Sequence, residues 1–135
     1  MTPYAALAAL RDYLAEVTRA LGIGLESCIV DQDPTLSVYV ALDGYLPGYP
    51  ERDVALRWDE VRGWSIAVEA RSGEDLVVVR YLGGTSAAPP PERLVRFVTA
   101  LREDDHRIGQ CAPPVFRSVG GFAGADTLSR PRGRA

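Results

Sequence analysis

The chain has 135 residues, of which 47% are hydrophobic and 24% charged, as is usual for a soluble globular domain with one hydrophobic core. A net charge of −3, with basic clustering only at Arg130, Arg132 and Arg134, argues against a nucleic-acid partner. No apolar run approaches the roughly 20 residues of a membrane span, and two cysteines make no disulfide framework, so we expect a cytoplasmic protein without a membrane partner.

The first predicted element is an amphipathic helix that ends at Gly22. Its apolar residues recur at spacings of three and four, which places them on one stripe: Leu7, Leu10, Leu14, Val17 and Leu21. A coiled-coil seam is the alternative use of such a stripe, but fewer than three heptads are present. Packing of the helix on a sheet is therefore favoured.

Two short strands are predicted next, at 27–31 and 36–42. Cys28 lies among apolar neighbours in the first strand and is interpreted as a small core residue rather than a nucleophile. In the second strand the apolar residues alternate with Ser37, Tyr39 and Ala41, so Tyr39 is expected on the opposite face from the core.

The loop at residues 43–52 combines Tyr45, Leu46 and Tyr49 with prolines and glycines that restrict its conformation. Tyrosines on a rigid loop are typical contact residues for a protein partner or a ligand. Alternatively, the tyrosines fold back over the open end of the core. The sequence favours neither interpretation over the other.

A hairpin is the strongest prediction for the stretch 53–69. Alternating apolar residues flank the polar loop 59–63, which predicts that Trp58 faces Trp64 across the two strands. The same register sets Leu56 opposite Ile66 and Val54 opposite Val68 on the buried face. The other face of the hairpin then carries small or charged residues, among them Arg57.

A fifth strand is predicted at Leu76–Tyr81, after a short turn. Its four consecutive apolar residues, Leu76 to Val79, make both of its faces apolar. An apolar strand face needs a cover, so either a helix packs on each side or the face that carries Leu76 and Val78 meets another subunit.

A Gly-, Ala- and Pro-rich linker at 83–91 precedes a second amphipathic helix from about Glu92. From there to the C-terminus we see no strong periodicity. The predicted organisation is one domain at residues 1–105 and an irregular, flexible tail at residues 106–135.

No residue pattern predicts catalysis, a metal or a cofactor. His106 is the only histidine, and it lies near Asp104, Asp105 and Cys111, but a second histidine or cysteine ligand is missing, so a solvated helix end is the favoured interpretation. Asp53 and Glu69 oppose each other in the predicted hairpin. Nearby arginines at 52, 57 and 80 favour a charge network over an acid–base pair.

Several motifs occur in this order along the chain: ALDG at 41–44, a Leu-Pro loop, ALRWDEVRGW at 55–64, SGEDL at 72–76 and YLGG at 81–84. In these motifs the chain resembles a family of small actinobacterial proteins of unknown function, over most of residues 4–103. An actinobacterial source also agrees with basic residues that are all arginine. The resemblance implies no activity, catalytic residue or cofactor.

We therefore predict an α+β fold: a helix, a five-stranded antiparallel meander and a helix in a two-layer sandwich, followed by the irregular tail. The favoured function is a non-catalytic protein-binding or adaptor module that forms a homodimer. The alternative is a small-molecule binder or enzyme with a pocket beneath the Tyr45–Tyr49 loop. The predicted contact residues are Tyr39, Tyr45, Leu46, Tyr49, Arg57, Leu76 and Val78.

Overall fold

A computed structural model describes residues 3–33, 35–70 and 75–116 of the chain. The predicted order of helix, antiparallel meander and helix is confirmed. In chain order the elements are α1 (Pro3–Leu21), a short 3-10 turn (Leu25–Ser27), β1 (Cys28–Asp31), β2 (Ser37–Leu42), β3 (Val54–Asp59), β4 (Gly63–Glu69), β5 (Leu76–Tyr81) and α2 (Pro91–Arg102).

Each strand of the sheet pairs antiparallel with the strand that follows it, in the order β1-β2-β3-β4-β5. The predicted register of the β3–β4 hairpin is confirmed: the pairs are Val54–Val68, Leu56–Ile66 and Trp58–Trp64. Asp59 shapes the connecting loop, because its Oδ1 accepts hydrogen bonds from the backbone N–H groups of Val61 at 2.8 Å and Arg62 at 2.6 Å.

Both helices pack on the same face of the sheet and share one core with it. The inward-facing residues of β2, β3 and β4 are buried together with apolar residues of α1 and α2. The largest fully buried side chains are Trp58, Trp64, Phe97, Leu10, Leu14, Leu56, Ile66 and Leu94. The arrangement is the predicted two-layer one, and the helices leave the other face of the sheet uncovered by either of them.

Gly22 ends α1 in the predicted position. Its φ of +78° is the left-handed conformation that glycine adopts without steric cost. The N–H of Gly22 then reaches the carbonyl of Arg19 at 3.1 Å, and the N–H of Ile23 reaches that of Thr18 at 2.9 Å. These two bonds satisfy the last carbonyls of the helix in a Schellman motif. No helix among the described residues combines the length and apolar character that a membrane span requires.

Tyr13 connects α1 to the sheet and to the segment before α2. Its hydroxyl donates to the carbonyl oxygen of Pro89 at 2.6 Å and accepts from Nε1 of Trp64 at 3.1 Å. Nearby, Nε1 of Trp58 donates to the carbonyl oxygen of Ala87 at 2.7 Å. The proline-rich linker is therefore held on the core by the polar atoms of both tryptophans and of Tyr13.

The chain after α2 runs along β5. The backbone of Gln110 exchanges two hydrogen bonds with that of Tyr81, at 2.8 and 2.9 Å. Farther on, the N–H of Phe116 donates to the carbonyl oxygen of Val61 at 2.6 Å. Residues 103–116 contain no helix or extended strand, as predicted for the tail, and they are hydrogen-bonded to the sheet. The rest of the predicted tail, 117–135, lies outside the described residues.

Candidate functional site

Four predicted contact residues share one face of the sheet. Tyr39 and Arg57 lie on the side opposite to the two helices because they alternate with the buried residues of their strands, and Leu76 and Val78 lie there because they pair with Glu69 and Ala67. We call this side the open face. Its residues are Ile29, Asp31, Ser37, Tyr39, Ala41, Asp53, Ala55, Arg57, Asp59, Gly63, Ser65, Ala67, Glu69, Leu76, Val78 and Tyr81.

Ile29 is a member of the open face that the sequence analysis missed. It pairs with Tyr39, which in turn pairs with Arg57, so the three side chains form one row across β1, β2 and β3. Ile29 is 63% exposed, which is unusual for an isoleucine in a strand. The alternation of Cys28, Ile29 and Val30 carried the signal, since Cys28 and Val30 both pack on the core.

The centre of the open face is lined by small residues. Ala55 and Ala67 pair with each other, and both are fully buried, as is Ser65 beside them. Their larger neighbours Tyr39 and Arg57 are half-buried. The small side chains therefore form the floor of a shallow depression between taller ones.

Opposite charges lie on either side of this floor. Arg57 follows Ala55 by two positions along β3, and Asp53, the residue directly before β3, precedes Ala55 by two, so that all three lie on the same face. Glu69 lies beside Asp53, with its backbone N–H bonded to the Asp53 carbonyl oxygen at 3.0 Å. Burial raises the pKa of Tyr39 above its ordinary value, and the negative charges of Glu69 and Asp53 raise it further.

The predicted charge network around Asp53 and Glu69 is only partly formed. Arg52 donates to the backbone carbonyl oxygen of Glu69 at 3.5 Å. Among the described residues the Arg57 guanidinium has no hydrogen bond or ion pair. Arg80 is not part of the network, because the β4–β5 register shifts between Ile66 and Ala67 and sets Arg80 opposite the core residue Ile66.

Arg80 instead binds the segment after α2. Its Nε donates to the carbonyl oxygen of Ile108 at 2.9 Å, and its Nη2 donates to that of His106 at 2.7 Å and to that of Gly109 at 3.3 Å. Its Nη1 lies 3.2 Å from Sγ of Cys111. The guanidinium therefore fixes a loop, and the sequence did not reveal this role.

The other three predicted contact residues lie in the loop between β2 and β3, away from the open face. Tyr45 is 57% exposed, whereas Leu46 is 4% exposed and belongs to the core. Tyr49 is half-buried against that core, and its N–H bonds the Leu46 carbonyl oxygen at 3.0 Å. With Pro47 and a left-handed Gly48 between them, the two residues close a tight turn of type II composition.

The histidine region forms no metal site in the described part of the chain. Nε2 of His106 lies 2.9 Å from Oδ1 of Asp104, on the exposed end of α2. Asp105 pairs with Arg107, whose hydrogen bonds lower the pKa of that carboxyl to about 2. Over residues 3–33, 35–70 and 75–116 no three metal-binding side chains come together. Cys28 and Cys111 are free thiols.

The side chains of the open face are aliphatic, aromatic, small or charged, and none is a histidine or a cysteine. Tyrosine and arginine are enriched in protein–protein interfaces relative to the rest of the surface.

Comparisons with known proteins identify one matching family, whose function is unknown. The model of a family of unknown function, DUF6292, matches residues 13–100 of the chain. This match covers both helices in part and the whole sheet. No curated protein matches the chain, and no solved structure does.

Proposed function

The chain belongs to the family of unknown function DUF6292, and we propose that it is a non-catalytic protein-binding or adaptor module that associates with itself through the open face. The observation that carries the proposal is the position of Tyr39, Arg57, Leu76 and Val78. These residues lie on the same side of the sheet as the exposed Ile29 and opposite to both helices.

Burial energetics support a binding role for this face. Leu76 and Val78 lie on the outer strand β5, and their side chains are only partly buried. Covering apolar surface stabilises an association by about 25 cal/mol per Å² before the entropic cost of binding. The apolar surface that remains exposed lies toward the edges of this side, at Ile29 on β1 and at Leu76 on β5, and the stabilisation comes from covering it.

Light scattering on the full-length protein over a range of concentrations tests this function. The informative variant is Val78→Glu, which places a charge on the open face. The matched control is Val77→Glu on the same strand, where Val77 is 46% exposed and pairs with the core residue Val68 on the helix side. We expect association in the wild type and in Val77→Glu, and its loss in Val78→Glu. Equal masses for both variants contradict a role for the open face.

A small-molecule site at the loop between β2 and β3 is a second candidate. The exposed ring of Tyr45 supports it, since a rigid loop with a free aromatic residue can cover a ligand. The burial of Leu46 weighs against it, because that side chain fills the space beneath the turn. A ligand screen by thermal shift, with Tyr45→Ala as the comparison, tests this candidate; hits that bind both chains equally rule it out.

The proposed setting is the cytoplasm of an actinobacterium. Two free cysteines, one of them the exposed Cys111, support a reducing compartment. The net charge of −3 supports a protein partner over nucleic acid. Fractionation of the source cells with an antibody against the protein tests the location.

A further inference from the structure

The distribution of charge on the open face is self-complementary. Asp53 and Arg57 lie at equal distances on either side of Ala55, about 7 Å away at the usual rise of a strand. A two-fold rotation that reverses the direction of β3 about Ala55 therefore places Asp53 of one copy at the position of Arg57 of the other, and the reverse. Such an exchange is the operation that relates two subunits of a symmetric dimer.

We propose that two copies of this chain pack sheet against sheet about a two-fold axis. The axis runs parallel to the row of Ala41, Ala55 and Ala67 and directly above it. Arg57 of each copy then lies opposite Asp53 of the other. This inference rests on the proposed function and specifies its partner and geometry. The axis lies between the sheets and perpendicular to the strands, so β3 packs antiparallel on its own copy.

Charge satisfaction is the first argument for this arrangement. A half-buried arginine usually has a carboxylate or carbonyl partner. Among the described residues Arg57 has none, and the side chains of Asp53 and Glu69 have none either. Within one chain the Cα atoms of residues 53 and 57 are about 13 Å apart along the strand. In the dimer each guanidinium faces an acidic pair, since Glu69 lies beside Asp53.

Shape is the second argument. The axis passes over the floor of the depression, where Ala55 and Ala67 are paired and no side chain is larger than a methyl group. Small residues at these positions avoid a steric conflict between each residue and its own copy across the axis. The row continues on β5 at Val78, which pairs with Ala67 and therefore packs on Val78 of the other copy, whereas Tyr39 packs beside the axis.

Area is the third argument. Five strands about 4.8 Å apart and about six residues long cover roughly 480 Å² in projection. The accessible surface of a side-chain layer exceeds its projection. The open face is nevertheless smaller than the roughly 800 Å² per partner of a standard interface and suits a weak association. We expect a reversible dimer whose population depends on concentration.

Charge reversal tests the pairing, with sedimentation velocity on the full-length chain as the measurement. Arg57→Asp places like charges opposite each other in both of the contacts that flank the axis, and Asp53→Arg does the same. Each single variant should raise the dimer dissociation constant about tenfold or more. The double variant Asp53→Arg/Arg57→Asp restores opposite charges and should return it to within about threefold of the wild type.

Mixing the two single variants is the sharpest arm of the experiment. In a dimer of Arg57→Asp with Asp53→Arg both contacts again join opposite charges, so the mixture should dimerise although neither variant does so alone. Arg96→Asp on the exposed side of α2 is the matched control and should leave the dimer unchanged. Circular dichroism of each variant verifies that it is folded.

The outcomes separate this inference from the function on which it rests. One outcome is that Val78→Glu weakens the dimer while charge reversal at residues 53 and 57 leaves its dissociation constant unchanged. This result overturns the proposed axis and leaves the open face as the interface. A wild-type chain that stays monomeric at all concentrations overturns the axis and the self-association together, and leaves the face to a different protein.

Discussion

Tyr13 is the residue that ties the most distant parts of the core together. Its ring centroid lies 6.4 Å from that of Trp64, and its hydroxyl bridges Nε1 of Trp64 and the carbonyl oxygen of Pro89. Burial raises the pKa of the Tyr13 hydroxyl far above its ordinary value, an effect that the hydrogen bond from Trp64 opposes and the charge of Glu16 increases. The residue is therefore neutral in the folded protein over the whole physiological range.

Removing this hydroxyl should destabilise the fold. In Tyr13→Phe, the carbonyl oxygen of Pro89 and Nε1 of Trp64 both lose a buried partner, and we expect the free energy of unfolding to fall by about 2 kcal/mol. Urea denaturation followed by tryptophan fluorescence measures the change. Tyr45→Phe, at an exposed tyrosine, is the control and should stay within about 0.5 kcal/mol of the wild type.

The raised pKa of Tyr13 also predicts a loss of stability at high pH. Its pKa in the folded protein lies above the unfolded value of 10.0. The stabilisation is therefore complete below pH 10 and is lost as the pH rises further, because the unfolded chain then releases a proton that the folded chain retains. The advantage of the wild type over Tyr13→Phe should shrink by up to about 1.4 kcal/mol per pH unit above 10. A constant difference between pH 8 and 11 contradicts the assignment.

At the scale of elements, the segment after α2 acts as an extra edge on β5. The backbone pair between Tyr81 and Gln110 and the hydrogen bonds of Arg80 hold it there. Gly109 makes the close approach possible. With a φ of +89°, a Cβ atom on Gly109 would lie 2.6 Å from the carbonyl oxygen of Tyr81 and 3.0 Å from the ring of Phe97.

A substitution at Gly109 should therefore cost more than backbone strain alone. Gly48→Ala is the matched control: its φ is +84°, but a Cβ atom there meets nothing within 4 Å. We expect Gly48→Ala to lower the free energy of unfolding by about 1 kcal/mol, the strain of a left-handed alanine. Gly109→Ala should lower it by about 3 kcal/mol, because the segment must also move away from β5. Equal losses in thermal melts contradict close packing at this position.

The elements differ in how far the sequence predicted them. The hairpin register followed from alternation, since Trp58 directly precedes and Trp64 directly follows the same polar loop. The bulge between Ile66 and Ala67 left no such trace, because the strand beside it is apolar at every position from 76 to 79. A continuous apolar run fits either register, and so the place of Arg80 was not predicted.

At the scale of the whole molecule, the question is where the domain ends. The sequence predicts a boundary at residue 105, whereas contacts with the sheet continue to Phe116. Chains that end at Asp105 and at Phe116 distinguish the two. The shorter chain loses six hydrogen bonds, three to Arg80, two to Tyr81 and one to Val61, and should be less stable by up to about 6 kcal/mol, at about 1 kcal/mol per hydrogen bond. Equal melting temperatures place the boundary at 105.

The sequence predicted the candidate site in part. Tyr39, Arg57, Leu76 and Val78 were placed correctly on the second face, because the face of a strand residue follows from parity alone. Whether they form a binding surface stays a prediction. Grouping Leu46 with Tyr45 as contact residues overlooked burial: a loop of three apolar or aromatic side chains does not reveal which one inserts into the core.

The sequence by itself determined the helices, the strands, the hairpin register and the two faces of the sheet. All of these depend on periodicities of a few residues, which local side-chain order encodes. Only the tertiary structure decided that Tyr13 bridges Trp64 and Pro89, and that Arg80 holds the segment after α2. These contacts join residues 28 to 76 positions apart, and their partners are chosen by packing in three dimensions.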